Sequence, residues 1–145
     1  MTGLAATPIH PEDLNELADA LSVAGLPTAD LCEPGRAFFR FDEDTGLVGF
    51  GGLEGEEADR LLRSLVVMPD RRGSGLGRAM LVLLEREARR IGVGRLHLLT
   101  TTAAPFFQTN GYSDAERGSV PAPIAASREF TALCPESAIY LVKDL

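Results

Sequence analysis

The chain has 145 residues, 45% of them hydrophobic and 24% charged, and its 21 acidic and 14 basic residues give a formal net charge of −7. This length and composition suit one globular domain over residues 1–145 rather than a disordered chain. The negative field disfavours a nucleic-acid partner, and no apolar run approaches the ~20 residues that span a membrane. The start of the chain does not resemble a signal peptide, so we expect a reducing, cytoplasmic compartment.

The first half of the chain predicts a strand, a helix and an antiparallel meander. The strand covers residues 4–9, and the helix begins at Pro11, whose fixed φ suits a first helical position, and ends before Gly25. Three apolar segments separated by short turns follow, at residues 37–41, 47–54 and 61–68.

The second half predicts a helix that follows a glycine-rich loop and ends near Ile91. Glu85 is expected on its solvent face, four residues before Arg89. The remaining predicted elements are a strand at 96–99, a short helix at 103–109, a helical piece within 121–133 and a last strand at 137–142. This order predicts an α/β fold in which one mixed sheet is flanked by helices.

The strongest functional pattern lies at residues 67–78, where a buried strand ends at Pro69 and three alternating glycines precede a helix. Glycines let the backbone approach a ligand, and the free N–H groups at a helix start attract phosphate. Arg71, Arg72 and Arg78 add cations that suit an anion. The loop lacks the lysine of a Walker motif and the spacing of a dinucleotide fingerprint. A glycine-rich turn with a packing role alone is the competing interpretation.

With Val67 and Pro69 before it, the pattern formed by Arg72, Gly75 and Gly77 resembles the acyl-coenzyme-A loop of the GNAT superfamily of N-acetyltransferases. Residues 98–112, a strand and a short helix followed by Gly-Tyr, resemble the late segment of the same family.

Three further segments narrow the resemblance: residues 62–64, the threonines at 100–102 and the tail at 128–138. They are similar to the arsenic-resistance acetyltransferase branch, which is itself similar to the acetyltransferase domain of N-acetylglutamate synthases.

The resemblance implies the GNAT fold, a mixed, mostly antiparallel sheet with flanking helices and a splayed central strand pair. It implies acetyl-CoA as the acetyl donor and no metal. The residues expected to bind the donor lie on the strand before the loop, in the loop and on the short late helix: Leu65, Val66, Val67, Arg72, Gly73, Ser74, Gly75, Leu76, Gly77, Arg78 and Phe107.

The resemblance also places Glu54, at the end of a strand on the acceptor side, as the candidate catalytic base. Glu56 and Glu57 are close enough to replace it, and a solvated acid with no catalytic role is the alternative. The family often has a tyrosine at the position of Phe107, to protonate the leaving thiolate, so this chain lacks the usual acid there. Phe106 and Phe107 are expected to be packing residues, one of them lining the thioester pocket.

The expected acceptor-binding residues are Arg63, Thr101, Thr102 and Arg128, because hydroxyls and guanidinium groups bind polar and anionic substrates. For either arginine, a surface residue without a binding role is the alternative. The implied activity is acetyl transfer to a small amino-acid-like amine, extending to amino acids that carry arsenic or phosphorus. The alternatives are an N-acetylglutamate-synthase-like enzyme and a catalytically weak acyl-CoA-binding regulatory module. The partner is then a small-molecule amine, without nucleic acid or membrane, and a homodimer is left open.

Two cysteines and one histidine are not assigned a chemical role. Cys32 and Cys134 match no metal spacing, and Cys134 is expected to be a buried, inert thiol. His97, in an apolar strand, is expected to be a hydrogen-bonded core residue rather than a metal ligand.

Overall fold

The computed structural model describes residues 3–133 and 137–145, so Cys134 and the tail motif at 134–136 lie outside the described residues. The strands are β1 Ala5–Pro8, β2 Arg36–Glu43, β3 Gly46–Glu54, β4 Asp59–Val67, β5 Arg95–Thr100, β6 Ser113–Asp114 and β7 Ile139–Asp144. The α-helices are α1 Asn15–Val23, α2 Leu76–Arg90, α3 Ala104–Thr109 and α4 Ala122–Ala125, and a π-helical turn covers Glu129–Leu133.

All described strands form one sheet in the order β1-β2-β3-β4-β5-β7-β6. Every neighbouring pair is antiparallel except β4 and β5, which run parallel. The parallel pair requires a crossover connection, which α2 supplies. The predicted mixed, mostly antiparallel sheet with flanking helices is confirmed.

The parallel pair is joined only at its start. Asp59, Arg60 and Leu61 pair with residues 95–97 of β5, and the remaining residues of β4 have no partner in that strand. On the other side of β4, the ladder with β3 is irregular, and Ser64 has a left-handed φ of 60°. A bulge of this kind bends a strand and increases its twist. The two strands therefore diverge, as the resemblance implied.

Hydrophobic side chains pack on both faces of the sheet. Successive side chains of β2 point to opposite faces of the sheet, so Phe39 packs in the hydrophobic cluster beneath α2 and Phe38 packs in the one beneath α1. Gly49 marks a close approach of β3 to β4, because a Cβ atom there would lie 2.1 Å from the carbonyl oxygen of Val66. In the described residues, no helix has the length and apolar character needed to cross a bilayer.

Two local predictions need correction. Pro11–Asp13 forms a 3₁₀ turn, and α1 begins only at Asn15. Glu85 is not on a solvent face: it is buried, and it accepts hydrogen bonds from the hydroxyl of Tyr112 and the ammonium of Lys143. These partners come from distant segments, so helical periodicity alone assigned Glu85 to the wrong face.

Candidate active site

The divergence of β4 and β5 opens a cavity of about 690 Å³. Its walls are residues 62–67 of β4, residues 98–103 at the end of β5, and Phe106 and Phe107 of α3. Residues 24–27 after α1, together with Arg72 and Glu129, complete the lining. An unpaired strand edge offers backbone N–H and C=O groups to a ligand.

The glycine-rich loop lies at the carboxyl end of β4 and begins α2. Gly73 and Gly75 have left-handed φ values of 84° and 78°, and no side chain caps the helix at Gly75. A Cβ atom at Gly75 would meet nothing within 4 Å. The helix start therefore has uncapped N–H groups beside open space, which is the arrangement that binds phosphate. This geometry fits the pyrophosphate of acetyl-CoA.

The residues predicted to bind the donor divide into two groups. Leu65, Val66, Val67, Arg72 and Phe107 line the cavity. The second group forms the loop and the first helical turn: Gly73, Ser74, Gly75, Leu76, Gly77 and Arg78. The side chain of Leu76 packs into the core, so only its backbone faces the loop. The donor-binding roles stay predictions.

Arg71 and Arg72 differ in what they contact. Arg71 is held by Glu43 and by the carbonyl of Thr45, so it braces the turn between β2 and β3 and is not one of the phosphate-facing cations we expected. Arg72 donates from Nε to the carbonyl oxygen of Val67 at 3.1 Å, which keeps its guanidinium at the cavity wall. Arg78 is exposed in the first turn of α2.

The two phenylalanines of α3 are packing residues that also face the cavity. Phe106 and Phe107 meet edge to face, with ring centroids 5.1 Å apart, and Phe107 packs in the same way on Tyr112. Burial and the nearby charge of Glu85 raise the pKa of Tyr112. Neither Tyr112 nor Tyr140 lines the cavity, so no phenol among the described residues stands where Phe107 does.

A buried ion cluster borders the cavity, and Arg63 is at its centre. The Arg63 guanidinium is fully buried and binds Asp30 through both terminal nitrogens, at 2.6 and 2.7 Å. It also contacts Glu54 at 2.9 Å and Glu129 at 3.0 Å. Burial lowers the pKa of Arg63, but the hydrogen bonds with Asp30 and the charge of Glu129 outweigh that effect and hold it above its usual range.

Asp30 fixes the segment between α1 and β2 to this cluster. Its side chain is fully buried and also accepts a hydrogen bond from Arg36 at 2.8 Å. Burial alone would raise the pKa of Asp30, but the hydrogen bonds from Arg63 and Arg36 lower it to about 2. The acceptor-side segment is thus joined to β4 by a charged pair.

Glu54, the predicted base, belongs to the same cluster. Its oxygens lie 2.9 Å from Arg63 and 3.5 Å from Arg36, and it does not line the cavity. The base role stays a prediction, with the added requirement that a proton must bypass Arg63, whose guanidinium stays protonated, to reach Glu54.

The predicted acceptor residues have different surroundings. Thr101 and Thr102 are exposed at the cavity mouth. We expected Arg63 to face the gap with its donors available, but its donors are taken by carboxylates of the chain. Arg128 pairs with Glu33 and lies outside the cavity lining. Arg63 therefore does not present the two-point donor face that an acceptor carboxylate or oxyanion needs.

Sequence analysis missed two residues of this site, Asp30 and Glu129. Glu129 is the one carboxylate among the described residues that line the cavity, and its side chain is 6% exposed. Glu129 begins the π-helical turn, and Asp30 lies in an irregular segment. Neither segment has a periodicity that predicts burial, so the sequence carried no signal for either residue.

The remaining predictions concern metals and histidine. The residues that the structure describes contain no group of three or more potential ligands suited to a metal ion. His97 is fully buried and hydrogen-bonded, with its nitrogens 2.7 Å from the hydroxyl of Tyr140 and 2.7 Å from Asp59. The expectation of a core histidine is confirmed. Cys32 is exposed, and its thiol is free.

Comparison with known proteins gives the class to which this fold and site belong. Residues 34–114, more than half of the chain, match the family described as the acetyltransferase (GNAT) domain. The chain belongs to the GNAT acetyltransferase family. No curated protein matches it.

Solved structures with this fold include three that bear on the site. N-acetylglutamate synthase from Neisseria gonorrhoeae, with coenzyme A and L-arginine, has a TM-score of 0.78 and 21% identity and covers 100% of this chain. The chain spans 34% of that protein's length. Rv2747 from Mycobacterium tuberculosis, in complex with CoA, has a TM-score of 0.76 and 19% sequence identity, and the match covers 97% of this chain and 99% of that protein. The ribosomal-protein-S18-alanine N-acetyltransferase from Escherichia coli has a TM-score of 0.71 and 17% sequence identity, and the match covers 97% of this chain and 93% of that protein.

Proposed function

We propose that the chain acetylates the amine of a small molecule, with donor and acceptor bound together in the cavity between β4 and β5. The observation that carries this proposal is the early divergence of these strands after Leu61, directly beside the uncapped glycine loop of α2. One ligand can enter from the loop side along β4 and the other from the side of the segment at residues 24–27.

The donor is held by backbone and by cations. The backbone of Leu65, Val66 and Val67, which has no partner in β5, would bind the pantetheine arm, while the loop amides, Arg72 and Arg78 would bind the pyrophosphate. When bound, acetyl-CoA would supply an activated acyl carbonyl. Holding both reactants in one site converts a bimolecular encounter into an oriented one, which is a large part of the rate gain.

Acetyl transfer also requires that the acceptor amine lose one proton. An amine attacks only in its neutral form, so its ammonium proton must leave before or during attack. We keep Glu54 as the proposed final base, reached by way of water that bypasses the protonated guanidinium of Arg63. The thiolate of coenzyme A is a good leaving group, so the phenylalanine at 107 is compatible with turnover.

The acceptor class is narrower than the sequence suggested. Thr101 and Thr102 at the mouth offer hydroxyl groups to a polar acceptor. Neither the family description nor the three structures named above mention arsenic, and the carboxylate partners of Arg63 occupy the donors that this residue would offer to a diacidic or arsenic-bearing acceptor. A small amine without a second anionic group is therefore the acceptor that we propose.

Release of the coenzyme A thiol tests this proposal directly. The purified chain is given acetyl-CoA with a panel of plain amines, diamines, neutral amino acids, glutamate and phosphorus- and arsenic-bearing amino acids. We expect acceptor-dependent thiol release and an acetylated product with amines that lack a second anion. Tight binding of acetyl-CoA without turnover on any amine would instead support the regulatory module. Preference for glutamate would support the N-acetylglutamate-synthase-like alternative.

A further inference from the structure

Ser64 is the point at which β4 departs from a regular strand. Its φ of 60° lies in the left-handed region, and it is the one residue other than glycine in the described chain with a positive φ. The register of β4 against β3 shifts at the same place, between the partners Phe50 and Gly52. Backbone strain persists only where the surrounding structure enforces it, and it concentrates at functional sites. We therefore expect Ser64 to have a role beyond packing.

The position of Ser64 is on the wall of the cavity. The residue is 9% exposed and lines the opening between β4 and β5. It directly precedes Leu65, the first of the residues proposed to hold the pantetheine arm. A strand advances by about 3.3 Å per residue, so Ser64 lies roughly 10 Å from Val67, where β4 meets the glycine loop. A donor that extends along β4 from the loop therefore brings its thioester toward Ser64.

The hydroxyl of Ser64 is oriented by Arg63. Nε of Arg63, which also contacts Glu129, donates to Oγ of Ser64 at 3.2 Å, and two hydrogen bonds to Asp30 hold the same guanidinium in place. A serine hydroxyl has one hydrogen and two lone pairs. Arg63 uses a lone pair, so the hydroxyl hydrogen is directed to a second partner, and among the described residues Arg63 is the one hydrogen-bond partner of this hydroxyl. Accepting from a cation also makes the hydroxyl a stronger donor.

We propose that the Ser64 hydroxyl donates a hydrogen bond to the carbonyl oxygen of the acetyl group and stabilises the negative charge that this oxygen gains during transfer. This inference rests on the proposed function, because it names a catalytic residue for that reaction. As the amine nitrogen bonds to the carbonyl carbon, an electron pair moves from the C=O bond to the oxygen. When that pair returns, the C–S bond breaks and coenzyme A leaves as its thiolate. The hydroxyl keeps its hydrogen throughout, and a preorganised donor of this kind lowers the barrier because it is in place before the charge develops.

The kinetic test compares Ser64→Gly with Ser127→Gly, using acetyl-CoA and the fastest acceptor of the amine panel. Glycine at position 64 adopts the left-handed φ without strain, so this variant removes the hydroxyl and keeps the bulge. Ser127 is a matched control, because it is also 9% exposed and its hydroxyl accepts from the amide of Phe130, but it lies outside the cavity lining. We expect Ser64→Gly to lower kcat by about a hundredfold or more.

Binding separates a catalytic role of Ser64 from a structural one. The affinity of Ser64→Gly for acetyl-CoA should stay within about threefold of wild type, since the proposed hydrogen bond strengthens mainly in the transition state. Ser127→Gly should keep the wild-type kcat. An unchanged kcat in folded Ser64→Gly would overturn the assignment of Ser64, and so would a loss of affinity for acetyl-CoA that accounts for the whole loss of rate.

Infrared spectra of bound acetyl-CoA, isotope-labelled at the acetyl carbonyl carbon, test the contact itself and need no acceptor. A hydrogen bond weakens the C=O bond and lowers its stretching frequency. We expect a lower frequency in wild type and Ser127→Gly than in Ser64→Gly. Equal frequencies in all three would overturn the assignment. In wild type alone, so would the frequency that the thioester has in a solvent without hydrogen-bond donors. Absence of turnover by wild type on any amine would instead overturn the proposed function.

Discussion

Single residues in this chain take their roles from partners that are remote in the sequence. Arg63 and Asp30 are 33 positions apart, yet together they form the most buried ion pair described. A buried pair of this kind is sustained only when every charge has a partner, and removal of one member leaves an uncompensated charge. The acceptor side of the cavity is therefore sensitive to each carboxylate around Arg63.

The first prediction concerns Asp30. Its folded-state pKa of about 2 lies below the ordinary value of 3.8, so its ionised form stabilises the fold above pH 3.8, and that contribution disappears as pH falls through about 2. Asp30→Asn should lower the free energy of unfolding near neutral pH by about 3 kcal/mol. Thermal unfolding across pH should show the gap between variant and wild type narrowing as pH falls; a constant gap would mean that the charge of Asp30 contributes nothing.

The second prediction concerns Glu54. If Glu54 takes the amine proton, Glu54→Gln should lower kcat by about a hundredfold and flatten the acidic limb of the pH–rate profile. Binding of acetyl-CoA should be unaltered, because Glu54 is not part of the cavity lining. Initial rates between weakly acidic and alkaline pH measure both effects. A wild-type rate with an unchanged profile would assign the proton to water or to Glu129.

At the scale of elements, the loop before α2 supports the next prediction. Gly75 and Gly92 both have left-handed φ values, 78° and 89°, and a Cβ atom at either would meet nothing within 4 Å. Alanine at either position should therefore reduce stability similarly, by about 1–2 kcal/mol. Only Gly75 borders the phosphate-binding loop, so Gly75→Ala alone should weaken binding of coenzyme A, by about tenfold.

Calorimetric titration of coenzyme A into both variants separates the two effects. Gly92→Ala is the control for backbone strain without a ligand nearby. Equal affinities of Gly75→Ala and Gly92→Ala would remove the glycine loop from the donor site.

How far the sequence predicts these elements depends on the range of the interactions that form them. Strands β2 to β5 and helix α2 were predictable because alternation, turn residues and helical periodicity act within a few positions. The loop before α2 was predictable for the same reason. Strand β6 was not, because two residues carry no period and the strand exists only through pairing of Ser113 and Asp114 with β7.

The acceptor side escaped sequence analysis for a related reason. The pairing of Arg63 with Asp30 and Glu129 joins three segments whose contact depends on the finished fold. Asp30 and Glu129 are charged, and charged residues in irregular segments are ordinarily expected to be exposed to solvent. Arg63 was identified as part of the site, but its partners were expected to come from the substrate rather than from the chain.

At the scale of the whole molecule, sheet order and charge act together. Strand β4 lies beside β5 in parallel, between antiparallel neighbours, and the pairing of these two strands ends at Leu61, which leaves the opening between them. We propose that both ligands use that opening. The net charge of −7 attracts a cationic acceptor at long range, whereas the anionic donor depends on the local cations and helix start of the glycine loop.

The central claim is that donor and acceptor occupy this cavity at the same time. Initial velocities measured while acetyl-CoA and the amine are both varied test it most directly. Simultaneous occupancy predicts intersecting lines in double-reciprocal plots, because acetyl passes straight to the amine within a ternary complex. Parallel lines, the pattern of a covalent acetyl-enzyme that forms before the amine binds, would contradict the claim.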